Sequence, residues 1–237
     1  METVDKIDNL SLIENSLLHM RFELDRESPS YFRLAREAHL LLYRTMIESL
    51  TRSNWQNVTG HRSKAKYQIE DKPWQEIHKV PIKGCRKAWR FSDPAVYTQL
   101  PMSTSVEVPL AVGKEYLIGF YDALAMIQTE CFMGGVIFHK PILISEWISD
   151  EEMKTFEWLH EDIRNEYEHF KPKFYRVGVH ELLMAAELCL SVSKVLLFES
   201  VNVIFHTVTK KSLKELLESV FKGVVSHSKR TADNITV

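Results

Sequence analysis

The stretch from Arg176 to about Ser200 is almost uninterrupted apolar sequence, with Glu187 and Lys194 as its main charged residues. Read as one helix, it is greasy around much of its circumference, and in water such a helix belongs at the centre of a bundle. The rest of the chain must then supply amphipathic helices to cover it. With 237 residues, 45% of them hydrophobic, there is enough material for one large core.

Helical spacing recurs where it is needed. Ile7 to Leu24 places Leu10, Ile13, Leu17, Met20 and Leu24 on one stripe. Ser28-Pro29 then offers an N-cap and a first helical residue for a second helix, from about Pro29 to Arg52, with Phe32, Ala35, His39, Leu42, Met46 and Leu50 on its stripe. The two are expected to pack as an antiparallel hairpin, with His39 as a hydrogen-bonded core histidine. Glu115 to Met133 repeats the pattern through Leu117, Phe120, Tyr121, Leu124, Ile127 and Cys131, and Gly134-Gly135 ends it. After a connector from Val136 to Ser145, Ser149-Asp150-Glu151-Glu152 is a capping box that opens a helix to about Phe170, which Pro172 prevents from continuing. Val201 to Thr209 reads equally as a short strand or an extended link. Ser212-Leu-Lys-Glu215 is a second capping box, opening a last helix through about Lys222, with a polar tail fraying beyond Gly223. The fold class expected is all-α: a single helical domain over residues 1–222, a polar tail over 223–237, and a loop-rich insertion at about 55–112 between the second and third helices.

That insertion has its own chemistry. From Trp55 to Leu100 nine Lys and Arg stand against four acids, a local +5, with Trp55, Tyr67, Trp74, Trp89, Phe91 and Tyr97 interleaved. Cations with aromatics suit single-stranded nucleic acid, because phosphates meet the charge while bases stack. Lys64, Lys66, Lys83, Arg86 and Lys87 are the RNA-contacting candidates. The alternative is an insertion whose aromatics anchor it to the bundle. Ser105 to Val112 is a possible short strand, interrupted by Pro109.

Elsewhere composition excludes more than it assigns. Lys plus Arg total 30 against 32 Asp plus Glu, so there is no global basic field. Cys85, Cys131 and Cys189 are too widely spaced for a zinc knuckle or a disulfide framework. His160-Glu161 and His180-Glu181 each begin a zinc-protease pattern whose second histidine is missing, at Arg164 and Met184. Ser191-Val-Ser-Lys194 matches a nucleophile motif by spacing alone. Neither a metal nor a cofactor is called for. The N-terminus lacks an apolar signal region and no stretch is apolar for about 18 residues. A cytoplasmic protein with no membrane contact is expected.

The chemistry-bearing stretch is Arg164-Asn165-Glu166-Tyr167-Glu168-His169. On an ideal helix wheel with Arg164 at zero, Glu157, Glu168, Glu161, Asn165 and His169 fall between about 20° and 140°, apart from the apolar arc of Phe156, Leu159, Ile163, Tyr167 and Phe170. Arg164, Asn165 and His169 are therefore expected on one solvent-facing arc. A fork donor, an amide and an imidazole together suit phosphate chemistry: Arg holds phosphate bidentately, and His moves protons near neutral pH.

Arg-Asn-x-x-x-His on a helix, followed by Phe170-Lys171-Pro172-Lys173 and a long apolar helix, resembles the signature of the HEPN superfamily (higher eukaryotes and prokaryotes nucleotide-binding domain). The specific part of the likeness spans roughly Trp158 to Arg176. It implies an up-and-down helical bundle and a metal-independent endoribonuclease that leaves a 2′,3′-cyclic phosphate, with Arg164 and His169 as the catalytic pair, Asn165 assisting, and Lys171, Lys173 and Arg176 near the RNA. It also implies a homodimer that brings two motifs together, and a toxin or defence role restrained by an inhibitory partner protein. A composite site suits the spacing, since Arg164 and His169 lie about 140° and about 7.5 Å apart on an ideal helix. Against catalysis stands the acidity of Glu146 to Glu168, nine acids to two bases. Glu161 and Glu168 could pair with Arg164, and the face would repel RNA unless the basic insertion or the following lysines cover it. A non-catalytic helical dimer, acting as an RNA-binding or protein-interaction module, is the competing expectation.

Overall fold

The computed structural model describes residues 8–51, 58–60, 68–69, 72–73, 79–91, 116–129, 133, 147–165, 177–206 and 208–233. Most of them are helical, as the all-α reading requires.

Helix α1, Asn9–Leu24, starts at Asp8, whose carboxylate accepts the Ser11 N–H at 2.7 Å. All five residues of its expected stripe are buried. Helix α2, Tyr31–Thr51, begins later than the Ser28-Pro29 signal suggests. Ser30 takes the cap position: its carbonyl receives the Leu34 N–H at 3.0 Å, and its own N–H goes to the buried Glu23 carboxylate at 2.6 Å. Glu23 thus fastens the end of α1 to the start of α2, a tertiary contact that no local cap signal contains. The hairpin is antiparallel, since Asn9 reaches Glu48 and the Arg44 carbonyl while His19 meets Glu37.

Strands β1 (Thr59–Gly60), β2 (Gln68–Ile69), β3 (Lys72–Pro73), β4 (Lys79–Pro81), β5 (Trp89–Phe91) and β6 (Tyr116–Leu117) form three antiparallel pairs, β1 with β6, β2 with β3 and β4 with β5. Pairing of Thr59 with Leu117 and Gly60 with Tyr116 pins together the two ends of the segment separating α2 from the next helix. The expected strand at Ser105 to Val112 lies outside the described residues, as does the connector from Val136 to Ser145.

Helix α3, Phe120–Met126, is much shorter than the helix expected over Glu115 to Met133. Tyr116 and Leu117 are given to the ladder with β1, Gly119 becomes the N-cap, and past Ile127 the Gln128 and Thr129 side chains bond back to the Leu124 and Ala125 carbonyls. Helix α4, Asp150–Trp158, opens on the expected capping box, with Ser149 and Glu152 each satisfying the other's backbone N–H. It continues as a π-helical turn, π1, over Leu159–Arg164.

Helix α5, Val179–Lys194, and a second π turn, π2 (Val195–Glu199), make up the central apolar segment. Ala185, Ala186, Cys189 and Leu190 in it are fully buried. Among the described residues of Val201 to Thr209 there is no strand, so this stretch is a link. Helix α6, Lys210–Asp233, corrects two expectations. It is capped by Thr209, whose hydroxyl accepts the Ser212 N–H at 3.1 Å, so Ser212 lies inside the first turn. It also runs straight through Gly223, with Val224 fully buried, where a polar tail was expected. A Cβ on Gly223 would sit 2.9 Å from Leu24 Cδ1, so glycine here permits close packing of α6 on α1 and does not act as a stop.

The bundle closes as a ring: α1 packs on α2, α2 on α5, α5 on α6 and α6 on α1. Helix α3 and π1 sit against α2 outside that ring, and this is where the Arg164 region lies. Among the described residues no helix is long and apolar enough to cross a membrane.

Candidate functional site

The β4–β5 turn explains what happens to the acids of the motif helix. Cys85 N–H bonds the Ile82 carbonyl at 3.0 Å, and Gly84 between them has φ of +86°, a left-handed position where a Cβ would also meet Lys154. The chain emerges with the backbone N–H groups of Arg86 and Lys87 both aimed at the Glu157 carboxylate, the first at 2.8 Å. Two successive N–H groups around one anion make a small nest. The Lys87 ammonium meets Glu161 Oε2 at 2.6 Å, Tyr121 donates its hydroxyl to Glu161 Oε1 at 3.0 Å, and Arg86 stands 3.7 Å from Asp162. Arg90 adds bonds to Asp150 and to the Ile148 carbonyl.

Two positions of the solvent-facing arc drawn from the sequence, Glu157 and Glu161, are thereby covered. Glu157 is only 5% exposed and the Glu161 side chain only 15%. Two causes combine: the hairpin covers the helix, and i→i+5 bonding in π1 advances each residue by less than the 100° of an α-helix. The wheel positions of Glu157 and Glu161 relative to Arg164 therefore shift. Arg86 and Lys87, expected on RNA, are occupied with the helix's own acids. Burial opposes the ionisation of Glu161, but the hydrogen bonds from Lys87 and Tyr121 outweigh it and lower its pKa. For Tyr121, burial and then the bond to Glu161 push the pKa up.

Replacing Glu157 with Ala should strip two N–H groups of a charged acceptor. A loss of about 1.5–3 kcal/mol is expected, read from the shift in denaturant midpoint, with faster amide exchange at Arg86 and Lys87. An unchanged midpoint with unchanged exchange would show that the hairpin is held some other way.

On the other side of π1 lies a cluster of rings. His160 Nδ1 and His39 Nε2 are 2.9 Å apart. The His160 ring stacks on Phe120 at 4.5 Å and 7°, and meets the edge of Tyr121 at 5.1 Å. His39, from α2, is buried, and its pKa is lowered to about 3, by burial first and then by the neighbouring His160 and Arg164 charges. The expectation of a hydrogen-bonded core histidine holds. Tyr43, one turn further along α2, donates its hydroxyl to the Ile118 carbonyl at 2.6 Å; burial raises its pKa and the Arg164 charge opposes that rise.

Arg164 is half-buried on this side, with Nη1 donating to Asn165 Oδ1 at 3.1 Å. So the two described members of the Arg-Asn-x-x-x-His motif are in direct contact, and the guanidinium charge acts on His39 and Tyr43. His169, Lys64, Lys66, Lys171, Lys173 and Arg176 lie outside the described residues. Lys83 is exposed in the β4–β5 turn. No group of three or more His, Cys, Asp or Glu side chains able to hold a metal ion occurs among the described residues.

Sequence reasoning had met His160 only as half of a failed zinc pattern and Glu157 only as a polar position on the helix wheel and one acid among nine. Phe120-Tyr121 beside the Gly119 break, together with the histidine on the α2 stripe, is the signal that could have marked the ring cluster. No protein-family model, curated protein or solved structure matches the chain.

Proposed function

We propose that this protein is a metal-independent endoribonuclease of the HEPN type. The observation that carries the reading is electrostatic. Glu157, Glu161 and Asp162, three of the acids on the N-terminal side of Arg164, are each engaged by the β4–β5 hairpin, which supports the reading against part of the charge objection raised by the sequence. Arg164 stabilises charge on the scissile phosphate, with Asn165 orienting the guanidinium through its Oδ1. His169 moves the proton of the ribose 2′-hydroxyl or of the leaving oxygen. The 2′-oxygen attacks phosphorus, the bond to the 5′-oxygen breaks, and a 2′,3′-cyclic phosphate is left. Two motifs facing each other across a homodimer complete the site.

The direct test is cleavage of RNA by the purified chain in the presence of chelator. Expected are 2′,3′-cyclic phosphate ends and no cutting where the attacking ribose is replaced by deoxyribose. A wild-type protein that binds RNA without cutting it would assign the face to an interaction module. Assembly is tested separately, since sedimentation at tens of micromolar should show a dimer. A monomer under those conditions would remove the composite site.

A further inference from the structure

Because helix α6 continues through Gly223, Lys222 and Lys229 fall in line on one side of it, where a frayed tail would have scattered them. Seven residues make nearly two turns, so the two lysines stand about 20° apart around the axis and about 10.5 Å apart along it. Val220 and Val224 are buried and His227 bonds Tyr31 of α2 at 2.9 Å, which fixes the side of α6 that faces the bundle. Lys222, Ser226 and Lys229 lie away from it and are exposed. Phe221 and Val225, both half-buried, run along one flank of this row. Together the five residues line an open depression of about 320 Å³, suited to a ligand that lies along the helix.

The charge of this face is one-sided. From Ser219 to Ala232 the helix carries Lys222, Lys229 and Arg230 and no acid, in a chain whose net charge is −2. Upstream, Glu215 and Glu218 have their own cations, Lys211 and Lys194, each at 3.9 Å. Among the described residues no acid pairs with Lys222, Lys229 or Arg230. The negative end of the helix accounts for Arg230, which lies in the last turn. That field fades within a turn, and Lys222 stands about three turns from the end. The charge of Lys222 is therefore matched neither by an acid nor by the helix terminus.

We propose that this face of α6 is a contact site for single-stranded RNA, with Lys222 and Lys229 on backbone phosphates, the Ser226 hydroxyl donating between them, and a base resting on Phe221 and Val225. A polyanion with regularly repeating charge fits lysines held at a fixed interval by a helix. The apolar strip beside the lysines asks for a flat apolar group next to each charge, which an unpaired nucleotide supplies and a duplex keeps stacked inside. That the polyanion is RNA rests on the ribonuclease reading above. The site itself is separate from the Arg164 motif, and it holds substrate without taking part in cleavage.

The experiment measures binding of the full chain to a fluorescent single-stranded RNA oligonucleotide carrying 2′-O-methyl groups, which cannot be cut, at several salt concentrations. Lys222→Gln combined with Lys229→Gln removes two phosphate contacts. The slope of log affinity against log salt should fall by about 1.4, and affinity at about 0.1 M salt by about 25-fold. Both lysines are exposed, so this variant should melt like wild type. Phe221→Leu keeps apolar bulk toward the core but loses the ring, and should weaken binding about fivefold or more with the slope unchanged. Wild-type affinity and slope in the lysine variant overturn the proposal, and intact cleavage alongside them leaves the ribonuclease reading standing. Wild-type protein that binds the oligonucleotide through these lysines but never cuts RNA upholds the site and removes the ribonuclease reading instead. Binding to phosphatidylserine vesicles that the lysine variant loses, with no binding to the oligonucleotide, would give the face to a membrane surface and overturn the proposal.

Discussion

Arg164→Ala is expected to lower RNA cleavage about 10²- to 10³-fold, the usual consequence of removing one preorganised electrostatic group from a transition state. His169→Ala should cost about 10²- to 10⁴-fold through loss of proton transfer. Arg164 is half-buried and bonded to Asn165, so its removal also touches the fold. The measurement is single-turnover cleavage of a fixed RNA, with thermal unfolding on the same samples. Arg164→Lys is the informative control: it keeps the charge but loses the fork, so it should recover only part of the rate. A variant that melts like wild type and still cuts at full rate would remove Arg164 from the site.

What the sequence made legible, and what it concealed, separates along a physical line. Buried stripes were readable because burial of α1, α2 and α5 follows a local period, and Leu10, Ile13, Leu17, Met20, Leu42, Met46 and Leu50 all lie in the core. Starts and stops were readable only where the cap is made within the helix's own first turn. Ser149 and Glu152 cap each other, so the signal held. The start of α2 is fastened by Glu23 of the preceding helix, and Gly223, inside α6, lies against Leu24 of α1. Neither contact is visible along a single segment. Helix α3 was overdrawn because Tyr116 and Leu117 fit a helical stripe as well as a ladder, and the ladder partner, Thr59–Gly60, is more than fifty residues away.

The site was half legible for the same reason. Arg164 and Asn165 stand together because they are adjacent in sequence. The reading of their surroundings assumed 100° per residue, and π1 breaks that assumption without a signature in composition, since Leu159 to Arg164 contains neither proline nor glycine. Charge was misjudged in the opposite sense. Summing acids along Glu146 to Glu168 gave a repulsive face, whereas the hairpin tip brings Arg86 and Lys87 onto those acids from seventy residues upstream. A local charge balance is informative only when the covering element is known.

The second large effect is on stability in acid. His39 titrates near 6.5 when unfolded but only at about 3 in the folded chain, because burial and the His160 and Arg164 charges oppose its protonation. Above pH 6.5 neither state binds the proton, and the residue's full contribution to stability is present. Between 6.5 and 3 the unfolded chain takes up a proton that the folded chain refuses, so stability falls as pH falls, by up to about 1.4 kcal/mol per unit. Two units of acidification should then remove about 2 kcal/mol, a large part of the roughly 5–15 kcal/mol that a domain possesses. His227, whose pKa is lowered by burial and then by Arg230, adds a loss of the same sign, while Glu161, lowered against its burial by Lys87 and Tyr121, contributes below about 4.5. The histidine effect is therefore sought between pH 6.5 and 4.5, as the difference in slope between wild type and His39→Gln in urea unfolding at several pH values. The variant should start less stable at pH 7.5 and lose less on acidification, so that the two curves converge. Parallel curves across that window would mean that His39 does not hold off a proton in the folded protein.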